Sequence, residues 1–464
     1  MPFLTTAPFE SFNDRLGTGK ARFPLKGLAL VILAGLFINL LPIATPGFYS
    51  HDELDWQNRI ARNDYPWSFG MGSFAESPFF RLLGASFVSL SLRVPLQPFA
   101  SHFVEVALSI ATACLVHATV AQFRPDRAAS VAILFMLMPG FAYSTGWIAA
   151  EYDIQYALLG SLATLCAIRY WRGGRTSYLI ASLSTFLVAL GCKETALSIP
   201  VCAALVAFID RERVDRRRFA ILVAGAAAIV AVYLGLSAGR IVRMGQSGGG
   251  GYRTGGGARM LSNAAAYFGF PFTSGMMEIG SSPIEALVKA ITRLGPHLFL
   301  VALIVWRGGP NWALLYVLGY FATLLPVLPI SKHETQYTYA SSIALALALA
   351  LVWDRRLVVA LPVLALLAIL AQHAIAIQVG MYQTGVCQAR ALQTLEAILP
   401  DLPPSRPLAI LIADDTPWPV ISRALHDNSF PLRGELVTVT ATRDPAEAGM
   451  LFHEDCGVSL AAGP

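Results

Sequence analysis

Charge is scarce in this sequence. Of 464 residues only 14% are Asp, Glu, Lys or Arg, against 55% hydrophobic, and mean hydropathy is +0.57. So few charges cannot keep a soluble surface wet, which excludes an ordinary soluble domain and places the chain in a bilayer. A continuous basic face is missing as well. The net charge of +5 is spread in short clusters between apolar runs, as the positive-inside rule would place it, and this speaks against nucleic acid as a partner. The stretch before Lys26 has no early apolar core and no small-residue cleavage site, so Leu28–Leu41 reads as an uncleaved anchor rather than a signal peptide. Cysteine is sparse, with six residues. Cys114, Cys166, Cys192 and Cys202 lie in apolar runs as small packing residues, whereas Cys387 and Cys456 fall in the polar C-terminal part, where an oxidising compartment allows a disulfide.

What is abundant is apolar runs, judged against the roughly 20 residues that a helical crossing needs. They fall near Leu28–Leu41, Val104–Val120, Ala128–Tyr143, Ile154–Trp171, Phe219–Ala238, Ala286–Trp306, Trp312–Leu328, Tyr339–Trp353 and Leu357–Val379. Tyr178–Leu190 and Thr195–Ile209 are each short, and Cys192-Lys193-Glu194 separates them. The clusters around Arg22, Arg124, Arg169, Arg211 to Arg218, Arg307 and Arg355 can share the cytoplasmic side only if Tyr178–Ile209 makes an even number of crossings. It then forms a short-helix hairpin with Lys193-Glu194 at an external tip. The expectation is an all-α polytopic membrane protein of about eleven spans, N-terminus inside and C-terminus outside. Its parts are a cytoplasmic segment 1–26, a transmembrane domain 27–379 and a small external α/β domain 380–464. Phe74–Phe103, interrupted by Arg81, Arg93, Pro78, Pro95 and Pro98, reads either as one or two helices lying in the outer interface, bordering a groove for a lipid tail, or as a simple return into the second span. Neither reading makes His102 or Glu105 catalytic.

This topology gathers polar groups on one side. The external face receives His51-Asp52-Glu53-Leu54-Asp55-Trp56, the turn with Glu151 and Asp153, the Lys193-Glu194 tip, the Gly245–Ser282 loop, and Ser331-Lys332-His333-Glu334 followed by Tyr337 and Tyr339. Acids as close together as Asp52, Glu53 and Asp55 repel one another, and charge at membrane depth marks a site by default. Each residue alone has a plainer reading as a solvated or snorkelling side chain, so their convergence on one face is what matters.

Two glycine- or aspartate-rich motifs invite more than they support. The Gly245–Gly257 stretch is no phosphate-binding loop, because Ala258-Arg259 follows where a Lys-Ser or Lys-Thr would have to open a helix. It reads as a flexible linker or as a mobile lid, with Tyr252 and Arg253 as the lid's contacts. In the C-terminal part, polar from about Tyr382, Leu408–Ala413 and Glu435–Ala441 read as strands and Trp418–His426 as a helix; Asp414-Asp415 reads as a strand-ending turn.

At this point the residues carry a resemblance. His51–Trp56 resembles the first external loop of the protein O-mannosyltransferase branch of the GT-C glycosyltransferases. Lys193-Glu194-Thr195-Ala196-Leu197-Ser198-Ile199-Pro200 and Tyr337-Thr338-Tyr339-Ala340-Ser341-Ser342-Ile343 resemble segments of the branch with tetratricopeptide tails. Asp55 stands where the mannosyltransferase pattern has His, Gln336 where the related segment often has Arg, and no tetratricopeptide repeats follow. The resemblance implies transfer of a sugar from a polyprenyl-phosphate carrier to a glycan, lipid or protein acceptor at the external face of a membrane, taken as a bacterial inner membrane. It implies Asp52 as general base, with Glu53 beside it in the catalytic pair. Lys193, with Lys332 or His333, is expected at the donor phosphate, and Arg240, Arg243, Arg253 or Arg259 can reach in from the long loop. Asp55, Glu151, Asp153, Glu194, Tyr337 and Tyr339 are expected to position acceptor or donor. The carboxylates also suit a divalent cation through oxygen ligands, although no ligand spacing defines a metal site. A lipid-linked saccharide ligase or polymerase, a flippase and a non-catalytic scaffold are the alternatives. A flippase predicts polar residues at mid-span and internal repeats of hydropathy, neither of which is evident. A ligase is expected to rest on Arg and His in a large late loop, whereas the acids here lie in the first loop.

Overall fold

The computed structural model describes residues 25–50, 52–53, 56, 81–93, 96–247, 255–273, 283–330, 334–398, 408–411, 428–432, 435–442 and 449–460. Helices dominate. By length and composition four of the described helices can cross a membrane, or five if one bent pair counts as a single span.

Helix α1 (Leu25–Ile38) and the short α2 (Leu40–Ala44) precede the acidic segment, and α3 (Leu82–Arg93) and α4 (Phe99–Ala121) follow it. Part of the interrupted apolar stretch is therefore a separate helix, while Phe99–Phe103 forms the first turn of α4. Next come α5 (Ala128–Met136) and α6 (Pro139–Gly146), bent by 59° at their junction. The cause is local: Pro139 opens α6, and a residue before proline is driven out of the helical region, as Met138 is at φ −78°, ψ 143°. The bend delivers α6 to the helix α14 (Thr338–Val352), where a Cβ on Gly140 would stand 2.5 Å from Thr338 Oγ1. The chain then passes a short 3-10 turn, Ile148–Ala150, into α7 (Glu151–Gly173), most of whose residues are buried. Its two first-turn acids, Glu151 and Asp153, sit where the helix dipole favours negative charge.

The short apolar pair takes the form of a helical hairpin. Helix α8 (Thr176–Cys192) stops at Lys193, whose extended backbone at φ −157°, ψ 141° cannot continue a helix. A 3-10 turn, Glu194–Ser198, follows, and Pro200 sits in the first turn of α9 (Ile199–Ile209), where its missing N–H costs nothing. The remaining helices are α10 (Arg216–Ser247), α11 (Gly257–Gly269), α12 (Pro283–Gly308), α13 (Pro310–Ala322), α14 and α15 (Leu357–Ile398). The core runs between α1, α4, α5, α7 and α14, and at its centre Tyr339 lies 5.3 Å from Phe135 and 5.7 Å from Phe141, ring centre to ring centre.

Helix α15 runs unbroken past residue 380 to Ile398, so the change to polar composition near Tyr382 is not a helix end. Beyond it a five-stranded sheet is ordered β2-β3-β1-β4-β5, built from β1 (Leu408–Leu411), β2 (Asn428–Leu432), β3 (Glu435–Thr442), β4 (Met450–Phe452) and β5 (Val458–Leu460). Strand β1 is parallel to β3 and β4, and the two outer pairs are antiparallel. Two of these strands match the expected ones closely; the expected helix Trp418–His426 and Asp414-Asp415 lie outside the described residues.

The sheet is fastened to α15 at one place. Cys387 and Cys456 form a disulfide, Arg390 Nη2 donates to Asp455 Oδ2 at 2.5 Å, and Val458 N donates to Thr394 Oγ1 at 2.9 Å. Cross-linking two points 69 residues apart removes much of the freedom of the undocked sheet. Cys456→Ser should therefore weaken docking by about 2–4 kcal/mol. Limited proteolysis of purified protein would show it as faster cleavage after Ile398, and wild-type protein treated with reductant should behave alike.

Candidate functional site

Four separated segments meet around α7 and the tip of the hairpin. Asp52 and Glu53 follow α2 through the segment Thr45–Ser50. Ser50 organises them: its Oγ lies 3.2 Å from Asp52 Oδ2 and 3.2 Å from Asp52 N, and its N–H donates to Glu53 Oε2 at 2.9 Å. Asp52 is half-buried, whereas Glu53 is fully enclosed and its Oε1 has no hydrogen-bond partner among the described residues. Burial, reinforced by the charge of Asp52, raises the Glu53 pKa to about 8 against the opposing pull of backbone N–H groups. Glu53 is thus held as a neutral acid at neutral pH.

The second segment is the start of α7. Tyr152 receives the edge of Trp56, ring centres 5.9 Å apart at 89°, so the first loop and α7 touch through two aromatics. Arg81 adds to the same ring, its guanidinium carbon 5.5 Å from the centre, and pairs bidentately with Glu194 at 2.9 Å and 2.5 Å. The first turn of α3 approaches so closely that a Cβ on Gly84 would stand 2.5 Å from the Tyr152 ring and 2.9 Å from Cys192 O.

Lys193 lies at the centre. Its Nζ donates to Asp153 Oδ2 in a buried ion pair and sits 4.5 Å from the centre of the Tyr337 ring. Burial lowers the Lys193 pKa, and Asp153 is the chief force opposing that shift. An ammonium with one carboxylate and an aromatic face is stabilised by both, the aromatic adding a cation–π attraction. Tyr337 in turn sits beside Tyr267, ring centres 6.4 Å apart, and the Tyr267 hydroxyl accepts from Glu334 N at 3.3 Å. Gln336 Nε2 donates to Glu334 Oε2.

Glu151 accepts from Gln155 Nε2 at 2.6 Å and lies 3.2 Å from Ser91 Oγ of α3. Facing it is Glu105 of α4, fully buried, its carboxyl within hydrogen-bonding reach of that of Glu151. Glu53 also lies within electrostatic reach of Glu105. Sequence reasoning alone does not single out Glu105, Arg81 or the nearby His102. A carboxylate in an otherwise apolar span was the available signal for Glu105, by the cost of charge at that depth.

Of the expected residues, Asp52, Glu53, Asp153, Lys193, Glu194 and Tyr337 are linked by the contacts above, and Glu151 precedes Asp153 by two residues in the first turn of α7. Tyr339 is instead enclosed between Phe135 and Phe141 in the core. Asp55, Tyr252, Arg253, Lys332 and His333 lie outside the described residues; Arg259 is described and exposed. Among the described residues no group of three or more His, Cys, Asp or Glu is arranged to hold a metal ion.

No family model matches the chain, and no curated protein matches it. Among solved structures, ArnT from Cupriavidus metallidurans bound to undecaprenyl phosphate is similar at TM-score 0.47 and 11% identity, covering 87% of this chain and 86% of that one. Its apo state gives TM-score 0.47 and 14% identity, with 85% and 84% covered. The archaeal oligosaccharyltransferase AglB from Archaeoglobus fulgidus, in complex with an inhibitory peptide and a dolichol-phosphate, gives TM-score 0.45 and 14% identity, with 86% of this chain and 64% of that one covered.

The enclosed Glu53 generates a pH dependence. An unfolded chain loses this proton near 4.5, whereas the folded chain keeps it to about 8, so between those values the native state binds the extra proton. Stability must then fall as pH rises through that window. Thermal unfolding of the wild type should show a loss on the order of a few kcal/mol between about pH 5 and 8.5. In Glu53→Gln, where nothing titrates, the profile should be flatter.

Proposed function

We propose that the chain is an integral membrane glycosyltransferase that moves a sugar, hexosyl or pentosyl, from a polyprenyl-phosphate carrier to an acceptor hydroxyl on the external face. What supports this reading best is the convergence of Asp52-Glu53, Tyr152-Asp153, Lys193-Glu194 and Tyr337 on one place through the contacts of Trp56, Arg81 and Lys193. These are three of the segments that resemble GT-C transferases, joined by the start of α7.

The chemistry assigns different tasks to the two neighbouring acids. The acceptor oxygen attacks the anomeric carbon, a new C–O bond forms, and the bond to the carrier phosphate breaks with its electron pair leaving on phosphate. Asp52 takes the acceptor's proton. Glu53, held neutral, is unsuited to that role and serves instead to hold the segment through Ser50. Lys193 faces the leaving phosphate. Burial disfavours its charged form, and an arriving phosphate favours it, so the cation is most stabilised when the leaving group carries most charge. Lys332 and His333 are further candidates for the phosphate, Asp55 and Glu151 for the acceptor, and Tyr252 and Arg253 for a closing lid.

On this reading the protein lies in a bacterial inner membrane with about eleven spans, its N-terminus inside and residues 380–464 outside. Sugar transfer from labelled polyprenyl-phosphate donors by protein in lipid vesicles tests the assignment. Asp52→Asn should lower kcat by about 10²–10⁴-fold, and turnover equal to wild type would remove Asp52 as the base. Lys193→Ala leaves Asp153 as a buried unpaired charge, at a cost of about 3–5 kcal/mol. The Lys193→Met, Asp153→Asn pair avoids that cost and should still lose most of kcat. Movement of the intact lipid without bond formation would favour a flippase.

A further inference from the structure

The peptide group that joins Gly47 to Phe48 is gripped from two sides. Its carbonyl oxygen, on Gly47, lies 3.0 Å from His102 Nε2 of α4. Its N–H, on Phe48, donates to Gln388 Oε1 of α15 at 2.8 Å. Both side chains are buried, each 1% exposed. A carbonyl only accepts, so His102 Nε2 carries the hydrogen; an N–H only donates, so the oxygen of Gln388 faces Phe48. One peptide plane therefore settles both the tautomer of the histidine and the orientation of the amide.

The plane has little room to turn. A Cβ on Gly47 would stand 2.1 Å from Gly385 O, and one on Gly385 would stand 2.3 Å from Thr45 Cγ2. Loop and helix touch backbone to backbone, which only glycine at both positions allows. Three residues after this peptide group, Ser50 makes the bonds that organise Asp52 and Glu53. Rotation of the plane would carry that whole segment with it.

We propose that His102 and Gln388 are positioning residues for Asp52, acting through the Gly47–Phe48 peptide group rather than on substrate. The inference deepens the transferase reading and rests on it for the role of Asp52. It also gives the end of α15 a task. Gln388 follows Cys387, whose disulfide fastens the sheet, so the turn of α15 that holds the peptide is the turn that the sheet anchors.

The test uses full-length protein in lipid vesicles and follows hydrogen exchange of residues 45–53 together with sugar transfer. The variants are Gln388→Leu, Gln388→Glu, His102→Phe and the double variant His102→Phe, Gln388→Leu. Both single replacements that remove the grip should speed exchange and lower kcat roughly 10–100-fold, the scale of an ångström-sized misplacement. Donor KM should stay within about threefold, because ground-state contacts are untouched. Gln388→Glu, whose oxygen still accepts from Phe48, should recover most of both readouts. The double variant should be no slower than the worse single one, since one plane is released only once. Unchanged exchange, wild-type kcat in Gln388→Leu, or losses that multiply would overturn the proposal. Should Gln388→Leu not fold, His102→Phe compared with Gln388→Glu decides the question by the same two readouts. Wild-type protein with no transfer activity would refute the transferase reading instead, and exchange alone would then decide whether the grip holds the segment.

Discussion

The buried pair of Lys193 and Asp153 is the interaction on which the centre of this structure depends. An ammonium removed from water is tolerated only beside a compensating charge, and a carboxylate likewise. The pair ties the tip of the α8–α9 hairpin to the first turn of α7, and the ring of Tyr337 against Lys193 brings in the segment before α14. Arg81 and Glu194 repeat the arrangement one residue along and add α3. Two adjacent residues, Lys193 and Glu194, thus connect three other parts of the chain, and removing one partner of either ion pair would leave the other as an uncompensated charge. Apolar packing holds the helices together without selecting one orientation; these polar contacts do select it.

The same requirement explains why the hairpin breaks where it does. A continuous helix through Lys193 would carry its side chain around the helix axis and away from Asp153. The extended backbone at that residue ends α8 and turns the ammonium toward its partner. Pro200 then restarts the helix, and both halves stay short. The two short apolar runs of the sequence are a pair of helices whose interruption places Lys193 against Asp153.

This break was legible in the sequence because charge flanked by apolar runs has no comfortable place in a helix at that depth, and the balance of arginines required an even number of crossings. The acidic segment and the C-terminal cysteine pair were legible for similar reasons of type and spacing. Other features were not. Arg81 looked like an interruption in an apolar stretch, since nothing local says that its partner is Glu194, 113 residues away. Nothing in the sequence singles out His102, because its partner is a backbone carbonyl and backbone groups carry no signature in side-chain composition. The full extent of α15 was hidden too: polarity increases near Tyr382 while the helix continues to Ile398, because a helix that leaves the apolar environment changes its surface without changing its backbone. Tyr339 follows Tyr337 by two residues yet has different surroundings, its ring lying in the cluster of Phe135 and Phe141.

The acidic segment illustrates how far position depends on distant structure. Asp52 and Glu53 are adjacent in sequence, yet one is half-buried and the other wholly enclosed, and enclosure, reinforced by the neighbouring charge of Asp52, turns Glu53 into a neutral acid. That difference is maintained by how the chain enters the segment. The direction of entry is set at the Gly47–Phe48 peptide group, between α4 and a turn of α15 that lies more than 300 residues away in sequence, as the 340-residue separation of Phe48 and Gln388 shows. A pair of carboxylates is therefore not a chemical device in itself. What each carboxyl can do depends on how the backbone before it is held, which here leaves Asp52 half-buried and Glu53 enclosed.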